Sequence, residues 1–186
     1  MRYNKTKTQT NKLYMKHLLT TLILLFALSY AAESQTNYSG KIETGYMKFL
    51  ATTIQVDPGP DWKGYNLDEE QSGFDLNIIN GLSFINKKVF AGLGLGYMNF
   101  EGINGVSVFA DFEYLPLKAR FTPLLNLKLG YDHIWNQYDG GRGTMLTEIG
   151  VGLNYRLTEK LDLYLKSGML LAQQSFLIPI TFGFRF

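Results

Sequence analysis

The sequence predicts an all-β fold: an eight-stranded antiparallel up-and-down transmembrane β-barrel preceded by a cleavable signal peptide. Three observations carry this. Segments of about ten residues alternate large apolar side chains with small, polar or charged ones, which is the period of a strand and the length of a tilted bilayer crossing. The glycines of these segments gather on the polar side of the alternation. The closing stretch sets Phe176, Ile178, Ile180, Phe182, Phe184 and Phe186 on one face and Thr181, Gly183 and Arg185 on the other.

The chain of 186 residues has the length of one domain behind a targeting segment. Met15-Lys16-His17 forms a short basic n-region, and Leu18 to Ala32 an apolar h-region followed by small residues, with cleavage expected after Ala31 or after Ser34. The apolar run is short of the roughly 20 residues of a membrane-spanning helix. Residues 1–34 are therefore read as an N-terminal extension and signal peptide, with Met15 as the expected start, and residues 35–186 as the barrel. The formal charge of +2 is misleading. Five of the 18 basic residues but only Glu33 of the 16 acids precede residue 35, leaving 13 basic against 15 acidic residues, a net of −2. Bulk charge gives no case for binding nucleic acid. The chain has no cysteine, hence no disulfide framework and no thiolate metal site.

Eight strands are expected in order. Gly40–Phe49 places Ile42, Thr44 and Tyr46 opposite Lys41, Glu43 and Gly45. A long connection, Leu50–Ser72, carries Asp57-Pro58-Gly59-Pro60, Trp62, Tyr65 and Asp68-Glu69-Glu70. Gly73–Phe84 follows, although Asn80-Gly81 inside it also reads as a turn. Asn86-Lys87-Lys88 turns the chain into Val89–Phe100. Asn104-Gly105 is a strong hairpin signal, leading into Val106–Leu115. Phe121–Trp135 is next, then a glycine-rich loop over Asn136–Gly143, then Thr144–Tyr155, Leu161–Leu170 and the closing strand. Pro179 cannot donate to a ladder, so a local bulge is expected there.

A soluble eight-stranded barrel would have the same period but the apolar face inside. Glycine decides against it. Gly45, Gly73, Gly81, Gly92, Gly94, Gly96, Gly130, Gly150, Gly152, Gly168 and Gly183 lie on the polar face. On a solvated exterior they would weaken strands, whereas in a narrow lumen they make room. Aromatic residues of the apolar face gather at two rims: Phe84, Tyr114, Phe121, Tyr155, Phe184 and Phe186 at one, Phe74, Tyr97, Tyr131, Trp135 and Phe176 at the other. The apolar face is expected to be free of charge. The inward face is expected to hold a charge network of Lys41, Glu43, Asp75, Asp111, Glu113, Lys128, Asp132, Glu148, Asp162, Lys166 and Arg185, paired across the lumen.

The signal peptide, the alternating strands and the terminal Ile180-Thr181-Phe182-Gly183-Phe184-Arg185-Phe186 make the chain resemble the small outer-membrane β-barrel proteins of the OmpA/OmpX type, especially the compact forms of the Bacteroidetes. The resemblance implies the outer membrane of a Gram-negative bacterium, contact with its lipid, and assembly by the barrel-assembly machinery. It further implies that Phe182, Phe184 and Phe186 belong to the signal which that machinery reads.

No enzyme motif stands out. Gly92-Leu93-Gly94-Leu95-Gly96 lacks the spacing and following helix of a nucleotide loop. His133 is the one histidine outside the signal peptide. Barrel enzymes that act on lipid A use a His/Ser/acid set, but His133 projects with the lipid-facing residues between Tyr131 and Trp135, as an interfacial residue does. No cofactor and no metal are expected. With strand one starting in the periplasm, the first long connection is extracellular, and Trp62, Tyr65, Asp68, Glu69 and Glu70 are its candidate contacts with a partner, a surface glycan or a cation. The expected function is that of a non-enzymatic barrel with a packed, charged lumen, acting in envelope structure or in association with a membrane or surface partner. The alternatives are a lipid-acting barrel enzyme and a small pore.

Overall fold

The structure, a computed structural model, describes residues 36–53, 67, 72–135 and 140–186. The signal peptide, the Met15 start and the loop residues Trp62, Tyr65, Asp68, Glu69 and Glu70 lie outside the described residues.

Eight antiparallel strands close into a barrel: β1 (Asn37–Thr52), β2 (Gly73–Phe84), β3 (Val89–Phe100), β4 (Ile103–Tyr114), β5 (Phe121–Ile134), β6 (Arg142–Arg156), β7 (Asp162–Ala172) and β8 (Ser175–Arg185). Each strand pairs with its sequence neighbours, and β8 returns to β1. Reciprocal bonds complete that seam, from Gly40 N to Phe186 O at 2.8 Å and from Phe186 N to Gly40 O at 2.9 Å. Closure leaves no edge strand, so the backbone polar groups are satisfied internally, as a bilayer demands.

The alternation resolves as expected, with the apolar row outside. Ile78, Leu93, Leu95, Val108, Ile149 and Leu165 are exposed, Leu93 to 71%, whereas Lys41, Glu43 and Asp111 are 0% exposed. A water-soluble barrel would reverse this assignment. Tyr38, Tyr114, Phe121, Tyr155 and Phe186 ring the end that carries both termini of the barrel (the terminal rim). Tyr46, Phe74, Tyr97, Tyr131 and Trp135 ring the other end (the loop rim). Aliphatic residues fill the height between them.

Several local expectations are corrected. Asn104-Gly105 is not a turn. Asn104 and Gly105 pair with Asn99 and Met98 inside the ladder, and the β3–β4 hairpin turns at Glu101-Gly102. Both turn residues have positive φ, 51° and 99°, as a two-residue primed turn requires, and Gly102 supplies the second without strain. Asn104 instead accepts hydrogen bonds from Tyr97 Oη at 2.6 Å and Asn99 Nδ2 at 2.8 Å. Asn80-Gly81 is mid-strand, as the expected strand Gly73–Phe84 has it and not the alternative turn, with Asn80 outside accepting from Tyr38 Oη at 2.6 Å. Pro179 causes no shift of register. It pairs opposite Met47, and the irregularity lies between Phe49 and Ala51 of β1, where Leu50 is the extra residue. The exterior is not free of charge. Lys48 stands on it opposite Ile178, next along the face from Tyr46, where its stem can lie on apolar surface while the ammonium reaches the interface.

Nor is the inward face wholly polar. Phe90 and Phe109 point inward and are 1% and 3% exposed. Their rings lie where a β-carbon on Gly92 or Gly94 would have to go: such an atom on Gly94 would sit 2.5 Å from Phe109 Cζ and 2.9 Å from Ile79 Cγ1. The glycine run of β3 is therefore floor space for two aromatic rings.

Replacing Leu93 by Arg places a charge near mid-height on the lipid face. It should lower stability in phospholipid bilayers by about 2–4 kcal/mol, measured by urea titration of the folded and unfolded forms. An unchanged midpoint would contradict the outward assignment of β3.

Candidate functional site

The lumen concentrates the chemistry of this chain. Strand alternation sends Lys41 and Glu43 of β1, Asp111 and Glu113 of β4, Lys128 of β5, Glu148 of β6, Lys166 of β7 and Arg185 of β8 into the same space. Four cations face four carboxylates in one connected lattice. Glu43 is its centre. Its Oε2 meets Lys128 Nζ at 2.6 Å, and its Oε1 lies 3.1 Å from Lys166 Nζ and 3.2 Å from Lys41 Nζ. Tyr164 Oη donates to the same Oε1 at 2.7 Å. Lys41 also donates to Asp111 at 2.5 Å and to Glu113 at 2.6 Å, and Arg185 Nη2 pairs with the other oxygen of Glu113. Glu148 lies 3.5 Å from Lys128 and 3.4 Å from Lys166.

Neutral groups complete the lattice. Asn126 donates to Asp111 Oδ1 at 2.7 Å and accepts from Lys166 at 2.9 Å. The Phe90 ring lies 4.8 Å from Lys41 Nζ, and the Phe109 ring 4.9 Å from Lys128 Nζ. Aromatic faces attract cations most strongly where water is absent. Burying an ion costs several kcal/mol, and that cost is offset only when opposite charge and hydrogen bonds surround it. Each ammonium here has at least two such partners.

The remaining three acids stand apart from this lattice. Asp75 is 7% exposed and accepts from Asn77 Nδ2 at 2.5 Å. Asp132 belongs to the loop rim, where Thr144 Oγ1 and Gln173 Nε2 donate to it at 2.9 and 2.6 Å. Asp162 lies at the terminal rim, 3.8 Å from Arg156. Phe182 and Phe184 of β8 and Phe186 just beyond it line up outside, Phe182 and Phe184 in edge contact at 5.0 Å.

Three features of the lumen are absent from the expected charge set. Tyr164 follows the inward alternation Asp162-Tyr164-Lys166, so its placement was readable although its partner was not. Phe90 and Phe109 carry no sign in the sequence beyond their parity. Gln173, 0% exposed, sits in the two-residue β7–β8 turn, where a polar residue reads as solvated.

The carboxylates of Glu43, Asp111 and Glu113 approach closely enough to suggest a metal site, but Lys41 Nζ stands within 3.2 Å of all three. The ammonium occupies the place a cation would take. Above the lattice, toward the loop rim, Met47, Met98, Phe100, Ile134, Leu170 and Leu177 fill the lumen in one apolar cluster with Leu67. Leu67 is 0% exposed and is held by a bond from Ser175 Oγ to its carbonyl at 2.9 Å. The lumen is thus a packed core of two halves, one ionic and one apolar.

Glu43→Gln should cost about 3–5 kcal/mol of stability, because three lysines lose their shared counter-charge in a desolvated space. Combining it with Lys128→Met should recover part of that loss. A double-mutant cycle from urea unfolding should show about 0.5–3 kcal/mol of coupling, and strict additivity would contradict the pairing described.

No family model matches the chain, and no curated protein matches it. Solved structures do. The crystal structure of Neisserial surface protein A superposes with a TM-score of 0.62 at 11% identity, covering 82% of this chain and 98% of that one. The N-terminal β-barrel domain of Pseudomonas aeruginosa OprF superposes with a TM-score of 0.52 at 17% identity, covering 82% of this chain and all of that domain. At such identities the likeness is one of architecture. The chain is a small eight-stranded antiparallel closed barrel that shares the architecture of these two proteins, with a buried, charged, salt-bridge-packed lumen.

Proposed function

We infer that the chain is a non-enzymatic outer-membrane barrel of a Gram-negative bacterium, acting in envelope structure or by association with another membrane or surface component. One observation carries this reading: the exterior is built for lipid while the interior is closed by a neutral ion-pair lattice and an apolar plug. A barrel filled in this way offers its outside surfaces and its connections, rather than its lumen, to other molecules. The apolar band takes membrane lipid. The alternating aromatic row Phe182-Phe184-Phe186 supports recognition of β8 by the barrel-assembly machinery, and residues 1–34 fit a signal peptide that delivers the chain to it. The first connection, with Trp62, Tyr65 and Asp68–Glu70, is the extracellular candidate for partner contact.

Two other readings are weaker. For a lipid-acting enzyme, His133 would have to be the base. Its Nε2 lies 3.2 Å from the carbonyl of Gly140, and its ring stands edge-on to Trp135 at 4.9 Å. These contacts orient an interfacial residue, and among the described residues no hydroxyl is hydrogen-bonded to it. For a pore, ions would have to displace Lys41, Lys128 and Lys166 from their carboxylates.

Affinity purification from the native outer membrane, with mass spectrometry of protein and lipid, should recover a stoichiometric protein or surface-polymer partner. Its yield should fall when Trp62 and Tyr65 are both replaced by Ala. A monomer with bound lipid alone, together with an unaltered envelope on deletion, would sink the association reading. His133→Ala should leave lipid A unchanged, and planar bilayers containing the protein should show no large, stable conductance steps.

A further inference from the structure

Three turns close the terminal rim, over residues 85–88, 115–120 and 157–161. Basic side chains tie them to one another. Lys87 Nζ of the first turn donates to the Glu159 carbonyl of the third at 2.6 Å, and Lys88 Nζ to the Pro116 carbonyl of the second at 3.0 Å. Arg120 Nε of the second donates to the Arg156 carbonyl, beside the third, at 3.2 Å. Each of these bonds goes to a neutral backbone oxygen, so the charge of each cation is left uncompensated. Lys118 and Lys160 add two exposed ammoniums. Among the described residues the acids at this end are Glu159 and Asp162, and Asp162 is drawn to Arg156 at 3.8 Å. The rim therefore carries a positive excess. By sequence, the first connection at the other rim is the reverse, with Asp57, Asp61, Asp68, Glu69 and Glu70 against Lys63.

A cationic rim by itself attracts any polyanion. The apolar residues beside the charges narrow the choice. Ile85, Leu117 and Leu157 are 64%, 53% and 44% exposed, so each turn shows a large aliphatic side chain to its surroundings. Turns that face water have no use for such residues, whereas turns set in the boundary between headgroups and acyl chains bury them. Arg120 has the same placement. Its guanidinium stands over the Tyr155 ring at 5.1 Å, and Tyr155 pairs across the strands with Phe121 on the outer face. The guanidinium is thus held on the exterior, beside two rings of the girdle. Arg120 is exposed, and among the described residues its Nη donors have no partner. Such a fork matches the oxygens of a phosphate, and charge-assisted bonds of this type are the strong ones.

We propose that the second and third turns form a binding site for the headgroup of an anionic phospholipid, with the phosphodiester on Arg120 and Lys118 and the upper acyl carbons on Phe121 and Tyr155, beside Leu117 and Leu157. The site rests on the membrane-spanning reading given above, and under that orientation it faces the periplasmic leaflet.

The test titrates the barrel in maltoside micelles with dioleoylphosphatidylglycerol, dioleoylphosphatidylcholine and a soluble acidic peptidoglycan fragment. Native mass spectrometry gives the occupancy, and amide shifts of residues 115–121 and 155–158 give the place. Phosphatidylglycerol should bind saturably and move these amides, and phosphatidylcholine should bind more weakly. Arg120→Gln and Lys118→Gln, both exposed turn substitutions outside the ionic lattice, should each weaken phosphatidylglycerol by about fivefold, the effect of one basic residue near an anionic surface. Lys48→Gln, on the exterior toward the loop rim, should leave binding unchanged. Phosphatidylcholine binding as tightly as phosphatidylglycerol overturns the proposal, as does full affinity in both turn variants or an equal loss with Lys48→Gln. Shifts of the same amides by the peptidoglycan fragment in place of the lipid reassign the rim to a cell-wall polymer and overturn it too. A barrel that stays folded in the micelle yet ignores phosphatidylglycerol removes this site and leaves the membrane barrel standing, since the Leu93→Arg titration reads the spanning itself.

Discussion

Glu43 is the residue on which the rest of the barrel depends. Eight strands enclose a space only wide enough for side chains, and three lysine ammoniums converge there on one carboxylate. Without that shared counter-charge, Lys41, Lys128 and Lys166 could not be desolvated together. With it, the polar half of every strand has somewhere to go, and the outer half can be given over to leucine, isoleucine, valine and aromatics. The apolar belt and the ionic lattice are therefore one solution viewed from its two sides. A bilayer leaves no exposed surface on which a strand could place a lysine at mid-height, so the lysines are folded inward and neutralised.

The lumen is layered along its axis. A polar mouth lies at the terminal rim, the lattice follows, and an apolar plug capped by Leu67 meets the loop rim. Each layer excludes a different passenger. The plug has no partners for an ion, and the lattice has no space for an apolar solute. Phe90 and Phe109 bridge the two chemistries, with their faces toward cations and their bodies in the apolar cluster. The glycines of β3 are what allow two such rings to stand side by side in so narrow a barrel.

Most of the architecture was legible because it rests on parity. Side chains alternate strictly in a strand, so the membership of the inward and outward faces could be written down from Ile42, Glu43, Leu93 and Gly94 as they stand in the sequence. Partnership inside the lumen was not legible. Lys41 meets Asp111, and Tyr164 meets Glu43, across sequence distances of 70 and 121 residues, and local spacing carries no information about strands on opposite walls. The hairpin at Glu101-Gly102 was missed because Asn104-Gly105 has the better turn chemistry. Register overrode propensity there: a turn at Asn104-Gly105 would keep the two faces in phase but move every partner six residues along, setting Tyr97 against Phe112 in place of Val106. Lys48 was overlooked because a rim lysine obeys the depth of the membrane rather than the period of the strand.

The seam between β1 and β8 has a kinetic consequence. Gly40 and Phe186 are bonded to each other from nearly opposite ends of the barrel sequence, whereas every other pair of strands is joined by neighbours in the chain. Joining ends so far apart incurs most of the loop-closure entropy before any contact repays it. The lattice shares this timing, since Lys41 and Arg185 reach the same carboxylate, Glu113, from the two strands of the seam. Neutralisation of the lumen and closure of the wall therefore fall in one late event. Until it occurs the chain is an open, charged sheet unsuited to hydrocarbon. The finished barrel has no half-built state in which it could rest within the membrane.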